Sequence, residues 1–412
     1  MSARMRGAVL YGAGPCATAG AATCGAAAKV TPTRARAEKT ERAAAKSAGG
    51  RGRVLVARLD DAGDVLLTGP AVRAVRTQAD EVVFLAGPNG RAAAELLPGV
   101  DRVVEWQAPW IDHTPPPVGK AQVADLVGRL HGIDEAVILT SFHQSALPLA
   151  LLLRLASVRR ITAISNDYPG SLLDVRHVVD ESVDVPEAER ALAVARAAGF
   201  ELPPGDDGKL AVQRPLPDID KFTGHLLSVG ADAGRSANKG ANRGANTGAN
   251  GGTDTGAYVV VHPGTSAPAR TWPAERHRQA VRGLAEDGHR VVVTGTERDL
   301  TAYVAGDDAA DLGGATTFAE LAAVLAGAGV LVAGNTGPAH LAAAVGTPVV
   351  SLFAPVVPAA RWAPYGVPVV LLGDQQAPCG NSRARTCPVP GHPCLSQVTS
   401  EQVVKAVREL TQ

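Results

Sequence analysis

Two successive series of short apolar runs alternating with helical spacing predict an α/β protein built from two parallel-sheet domains. Length agrees, because 412 residues suffice for two or three separately buried cores. A hydrophobic content of 46% excludes wholesale disorder, and an aromatic content of 4% argues against stacking platforms for bases. The 40 basic and 40 acidic side chains leave no net charge, which argues against a nucleic-acid partner.

The first series opens at Val54–Arg58, an apolar run of the kind found in buried strands. A glycine-bearing turn follows, and Val65–Leu67 with Ala71–Val75 then carry helical spacing. Val82–Ala86 reads as the next strand, with Asn89 placed to cap a helix running through Leu97. Further strands are expected at Arg102–Trp106, Ala136–Thr140 and Arg160–Ile164, with helices near 120–131 and 144–156. The second series begins at Tyr258–Val261. It continues with a helix at 273–286, a strand at Arg290–Thr294, a helix at 317–326, a strand at Val330–Ala333, a helix at 337–345 and a strand at Pro348–Phe353. Two such domains leave a cleft at the carboxyl ends of their strands, where open α/β sheets bind ligands.

The flanking segments differ in character. Residues 1–50 are rich in Ala, Gly, Lys and Arg without apolar period and read as a disordered leader ahead of an N-terminal domain at 51–227. Within it, Gly7–Ala28 imitates a signal peptide but is broken by glycines, and Gly12–Ala17 carries dinucleotide-fingerprint letters without a following amphipathic helix. Residues 228–256 hold an Ala-Asn-x-Gly repeat that suits a flexible linker to a second domain at 257–412. Five cysteines in a chain of this length do not form a disulfide scaffold, so a reducing cytoplasm is the expected compartment.

Four strand-end segments carry candidate chemistry. In Arg58-Leu-Asp-Asp-Ala-Gly-Asp64, Gly63 permits close backbone approach, and Asp64 suits either a general base or a helix cap. His262-Pro-Gly-Thr265-Ser266 followed by Arg270 offers hydroxyls, N–H groups and a cation to phosphate, or else forms an ordinary polar loop. Glu297 suits a sugar or ribose hydroxyl, or simply the first turn of a helix. Asn335-Thr336-Gly337-Pro338-Ala339-His340 places N–H groups at a helix N-terminus, with His340 one turn in, facing ligand or core. Asp218-Ile-Asp220 has the letters of a metal-chelating triplet but follows Pro217 in a connecting segment. Cys379, Cys387, His392 and Cys394 hold zinc-type donors without a Cys-x-x-Cys knuckle.

Together and in this order, the Arg58–Asp64 turn, the His-Pro-Gly…Arg-Thr-Trp-Pro segment and the run from Gly334 to Phe353 resemble glycosyltransferase family 9, the ADP-heptose:lipopolysaccharide heptosyltransferases. The resemblance covers Val54 to Leu410 and implies a GT-B fold, two Rossmann-like domains facing across a cleft, with the donor held mainly by the C-terminal one. It implies Asp64 as the base that deprotonates the acceptor. Arg270 would face the donor phosphates where the family usually has lysine, and Glu297 would contact the nucleoside. Thr336, Gly337 and His340 would hold the diphosphate, with Asn335 standing where the family often has aspartate. Gly63, Thr265 and Ser266 complete the expected donor contacts. The Cys379–Cys394 tail would be a structural loop. The implied activity is inverting, metal-independent transfer of a heptose-like sugar from a nucleotide-diphosphate donor, favoured as an ADP-sugar, to a cell-envelope glycan or glycolipid. No cofactor is expected beyond the nucleotide-sugar substrate, and the enzyme would be a monomer at the inner membrane face. A nucleotide-sugar epimerase of the same architecture and a non-catalytic sugar-nucleotide-binding protein are the alternatives.

Overall fold

The computed structural model describes residues 50–112, 114–222, 224 and 258–412. The expected leader, except Gly50, and the expected linker at 228–256 lie outside the described residues, as do the fingerprint letters at 12–17.

The first sheet is formed by β1 (Arg53–Arg58), β2 (Glu81–Ala86), β3 (Arg102–Glu105), β4 (Glu135–Ile138), β5 (Arg160–Ile164) and β6 (Val175–His177). The second contains β7 (Tyr258–His262), β8 (Val291–Val293), β9 (Ala310–Asp311), β10 (Ala328–Gly334), β11 (Val349–Leu352) and β12 (Val369–Leu372). Their orders are β3-β2-β1-β4-β5-β6 and β12-β11-β10-β7-β8-β9, and every pairing is parallel. Each half therefore repeats one topology, with its first and fourth strands side by side. The connections reverse direction at that point, so the loops after β1, β4, β7 and β10 part and leave a crevice. Val54, Val56 and Phe84 share one buried cluster with Leu331, Ala333 and Phe353, so the two halves have a common core. Separate clusters cover the opposite face of each sheet. Both faces are thus buried, which is why β1, β7 and β10 are almost wholly apolar.

Some boundaries differ from expectation. The helical stretch after β1 is two helices, Ala62–Leu66 and Gly69–Arg76, because Pro70 starts the second. Asn89 does not cap a helix through Leu97. It lies inside a 3-10 turn, Pro88–Gly90, and donates its amide to Asp61 Oδ1 at 3.0 Å, leaving one short helix at Arg91–Ala94. The helix expected from 144 begins at Leu147, next to Pro148. Helices at Glu187–Ala197, Arg298–Ala305 and Ser400–Thr411 and strands β6, β9 and β12 add to the predicted set.

Candidate functional site

The loops at the two switch points enclose a cleft of about 520 Å³. From the first half come Asp60, Asp61, Gly63 and Asp64 after β1, Trp110 and Asp112 after β3, and Phe142, His143 and Gln144 after β4. The second half contributes Ser266 and Arg270 after β7, Asn335, Thr336, Gly337 and His340 after β10, and Trp362, Arg383 and Arg385 further on.

Asp64 lies in the first turn of helix Ala62–Leu66, but the N-cap position belongs to Asp61. The Asp64 carboxylate is engaged instead at Oδ1, which accepts from Arg58 at 2.8 Å and from the Trp362 indole at 3.3 Å. Oδ2 has no hydrogen-bond partner among the described residues. Arg58 is 2% exposed and sits beneath the turn, with Asp60 at 2.6 Å, Glu187 at 3.8 Å and the Ser141 hydroxyl at 2.8 Å. Burial works against its charge, but Asp60, Asp64 and Glu187 outweigh burial and raise its pKa above the ordinary arginine value. Burial also lifts the Asp60 carboxyl above its usual value, against the attraction of Arg58, and Gln144 donates to it.

Gly63 permits a close approach, though between protein elements. A Cβ there would stand 2.8 Å from His340 Cδ2 and 3.4 Å from Gly337 Cα, so the glycine lets helix Ala62–Leu66 settle on helix Gly337–Val345. That contact brings Asp64 into the same cleft as the β10 turn. Thr336 caps its helix without a side-chain bond, which leaves the positive helix end bare at Gly337.

Around this helix end, Arg270 Nε, Asn335 Nδ2 and His340 Nδ1 are buried atoms with no hydrogen-bond partner. Asn335 is 5% and His340 3% exposed. Burial pulls the Arg270 guanidinium below its ordinary pKa, although Asp64 and Asp61 oppose the shift. Burial likewise pushes His340 down to about 4, so its imidazole is neutral at pH 7. All three residues line the cleft, and buried polar atoms left without a partner are costly.

Two expected contacts lie apart from this constellation. Glu297 is exposed ahead of helix Arg298–Ala305 and is not among the described residues lining the cleft. The Thr265 hydroxyl is 2.6 Å from that of Thr271 and donates to Ala267 O at 3.0 Å, which braces the loop. Ser266 reaches the lining, and its carbonyl accepts from Arg385 at 2.9 Å.

The C-terminal cysteine segment reaches the site through arginines. Ala269 N–H donates to Arg385 O at 2.8 Å, and the His392 ring stands 3.0 Å from Ala269 O, which ties this segment to the Arg270 turn. Arg383 lies over the Phe142 ring at 5.2 Å. Cys379 and Cys394 are buried free thiols in an apolar cluster. Among the described residues, no three His, Cys, Asp or Glu side chains are grouped to hold a metal ion. Asp218 Oδ1 accepts from Asp220 N–H at 2.7 Å in an exposed segment.

Sequence reasoning also passed over Arg361. This residue is 2% exposed and joins the halves: Nε donates to Asp184 Oδ1 at 2.6 Å, Nη2 donates to the carbonyls of Glu181 and Val183 at 3.0 Å each, and Glu187 lies at 3.7 Å. The adjacent Trp362 carries the bond to Asp64.

Comparison with known proteins places this geometry. Lipopolysaccharide heptosyltransferase 1 of Pseudomonas aeruginosa is 36% identical over 139 residues, 32% of this chain and 39% of that protein. Lipopolysaccharide heptosyltransferase 3 of Escherichia coli K12 is 34% identical over 106 residues, 23% of this chain and 30% of that protein. The aligned regions thus span less than half the length of these curated relatives. Among solved structures, a glycosyl transferase family 9 protein from Veillonella parvula matches with a TM-score of 0.63 at 18% identity, covering 88% of this chain and 98% of that one. An E. coli heptosyltransferase solved with ADP-2-deoxy-2-fluoro heptose gives 0.58 at 20% identity, covering 87% and 99%. These likenesses establish the GT-B architecture. Residues 143–392, more than half of the chain, match the profile of glycosyltransferase family 9 (heptosyltransferase), and the chain belongs to that family.

Proposed function

We propose that this protein is an inverting, metal-independent glycosyltransferase that moves a heptose-like sugar from an ADP-sugar to a hydroxyl of a cell-envelope glycan or glycolipid. The observation that carries the reading is the pairing, in one cleft, of the unengaged Asp64 Oδ2 with the unpaired Arg270, Asn335 and His340 around a bare helix N-terminus. Asp64 Oδ2 takes the proton of the acceptor hydroxyl, and the hydroxyl oxygen bonds to the anomeric carbon. The bond from this carbon to the diphosphate breaks on the opposite face, and its electron pair leaves with the nucleoside diphosphate. Backside displacement inverts the anomeric configuration.

Arg270 and the Gly337 helix end supply positive potential to the departing diphosphate, the task a divalent cation performs elsewhere. His340, neutral at pH 7, contributes a hydrogen bond rather than a charge. The E. coli relative solved with ADP favours adenine as the base. Domains at 51–227 and 257–412 joined by a 228–256 linker complete the proposed organisation, with Glu297 and Thr265 as outer donor contacts. The proposed enzyme is a cytoplasmic monomer with peripheral contact at the membrane. Among the described residues, no helix is long and apolar enough to cross a bilayer.

The test follows nucleotide release and product stereochemistry. ADP should stabilise the protein against heat more than GDP, UDP or CDP. Transfer from ADP-heptose should release ADP only with an acceptor, give an inverted anomeric centre by NMR, and proceed at an unchanged rate in excess EDTA. A retained configuration, or a rate lost to EDTA and restored by magnesium or manganese, overturns the mechanism.

A further inference from the structure

The segment Cys379–Cys394 brings a second arginine to the turn that carries Arg270. Its two ends are sealed by Cys379 and Cys394 in an apolar cluster. Between them, Asn381 N–H donates to Pro355 O at 2.9 Å and Arg383 N–H to Val356 O at 2.7 Å, which pins the chain to the loop after β11. Asn381 and Arg383 take left-handed backbone, with φ of 58° and 56°, a path these bonds impose against local preference. Arg385 then straddles the Ser266–Arg270 turn. Its carbonyl accepts from Ala269 N–H at 2.8 Å, and its Nη2 donates to Ser266 O at 2.9 Å. Arg383 is turned elsewhere, onto the Phe142 ring. Arg270 and Arg385 both line the cleft, and Arg270 Nε has no hydrogen-bond partner. Burial lowers the Arg270 pKa most; Asp64 and Asp61 oppose that shift, and the like charge of Arg385 adds to it. An anion held by both guanidiniums turns their mutual repulsion into two attractions.

We infer that Arg385 is a second catalytic cation, acting with Arg270 on the phosphate that departs from the anomeric carbon. This deepens the proposed function and rests on its assignment of Arg270 to the donor diphosphate. When the bond from the anomeric carbon to the phosphate oxygen breaks, its electron pair stays on that oxygen. The terminal phosphate of the leaving nucleoside diphosphate thereby gains a negative charge, while the proton of the acceptor hydroxyl goes to Asp64. A cationic contact that strengthens as this charge grows lowers the barrier, beyond any tightening of donor binding. Ser266 O holds the guanidinium in place beforehand, so little side-chain freedom is lost when the charge develops. The cysteine segment thus has a task at the cleft: its buried ends and pinned backbone fix where Arg385 stands.

The test is calorimetric titration of the full chain with three probes: AMP, ADP and the unreactive donor ADP-2-deoxy-2-fluoro-heptose. AMP lacks the terminal phosphate, the fluorinated donor carries it with the sugar still attached, and ADP carries it with its charge fully developed. In R385M, ADP should bind at least about tenfold more weakly, as expected for a lost charged hydrogen bond. The fluorinated donor should lose about threefold and AMP less than about twofold, because the contact is made to the developed charge. R385Q keeps an N–H donor without the charge and should follow R385M. R385K keeps the charge and should hold ADP affinity within about threefold of the unaltered chain. Equal losses for ADP and the fluorinated donor, equal losses for all three probes, unchanged ADP affinity, or R385K behaving as R385M overturns the inference. Failure of the underlying reading shows separately, as an unaltered chain that binds neither ADP nor the fluorinated donor.

Discussion

Trp362 lies 298 positions along the chain from Asp64, yet its indole and the Arg58 guanidinium converge on the same carboxylate oxygen. Both bonds aim Asp64 while leaving Oδ2 to act, and this is how a residue in an ordinary first-turn position acquires a second use. The cap explanation for Asp64 fails on geometry, because Asp61 holds the N-cap position. In Asp64→Asn, the amide oxygen can still accept from Arg58 and Trp362, but no group remains to take a proton. Turnover should fall by roughly 10²–10⁴ while ADP affinity stays within about threefold. Steady-state kinetics beside ADP titration checks both, and a fully active variant would remove Asp64 as the base. Asp64 was legible from its glycine turn, whereas Arg58 was not singled out. An arginine ending an otherwise apolar strand is itself a signal, since burying it requires nearby carboxylates.

At the scale of elements, the short helix Ala359–Trp362 acts as a latch. It places Arg361 among Glu181, Asp184 and Glu187 of the other half and Trp362 on Asp64 in consecutive positions. Replacing Arg361 by Met keeps an unbranched side chain and removes the guanidinium, whose carbon lies 4.8 Å from the Phe142 ring centroid. It leaves buried Glu187 with Arg58 and Arg190 alone. The loss should be about 2–4 kcal/mol of unfolding free energy by urea titration, below the full cost of breaking a buried pair because Asp184 is 41% exposed. Unchanged stability would mean that the network is a surface ornament.

Strong local signals made the two series of strands legible: central strands are apolar on both faces, and Pro or Gly marks their ends. The helix at Ser400–Thr411 also had a readable start, since Thr399 and Gln402 form a capping box. Strands β6, β9 and β12 have two to four residues at or near sheet edges, too short for a period to show. The latch was illegible for a different reason. Nothing local in Ala-Ala-Arg-Trp says which distant carboxylates it will meet. The cysteine segment drew notice for its thiols, whereas its arginines are what reach the cleft.

Across the whole molecule, stability should depend on acid. Burial holds His262, His277 and His340 at about 4, whereas an unfolded histidine titrates near 6.5. As pH falls through this interval the unfolded chain takes up protons that the folded chain refuses, so stability is lost toward pH 4 and is complete above about 6.5. Each histidine contributes up to about 1.4 kcal/mol per pH unit. Burial raises the carboxyls of Asp60, Glu135 and Glu187, so these groups work in the opposite direction at the acid end. Urea unfolding at pH 7 and pH 5 measures the slope. His277 lies outside the cleft, edge-on to Trp272. His277→Phe keeps a ring there and cannot bind a proton, so it should reduce the histidine part of the slope by roughly a fifth to a third, because burial also lowers His143 and His177. An unaltered slope would rule out His277 as a contributor.

The Trp362 bond to Asp64 also equips the chain with an optical reporter. Indole emission responds to the field of a nearby carboxylate and to the arrival of water, and this indole stands where the two halves meet. Of the other tryptophans, Trp272 is sealed in a core and bonded to Val398 O, while Trp106 and Trp110 pack against each other in the first half. Parting of the halves and proton uptake at Asp64 alter the surroundings of Trp362, and filling of the cleft alters those of Trp362 and of Trp110, which also lines it. Events at the proposed reaction centre are therefore written into the protein's own spectrum, without an attached dye.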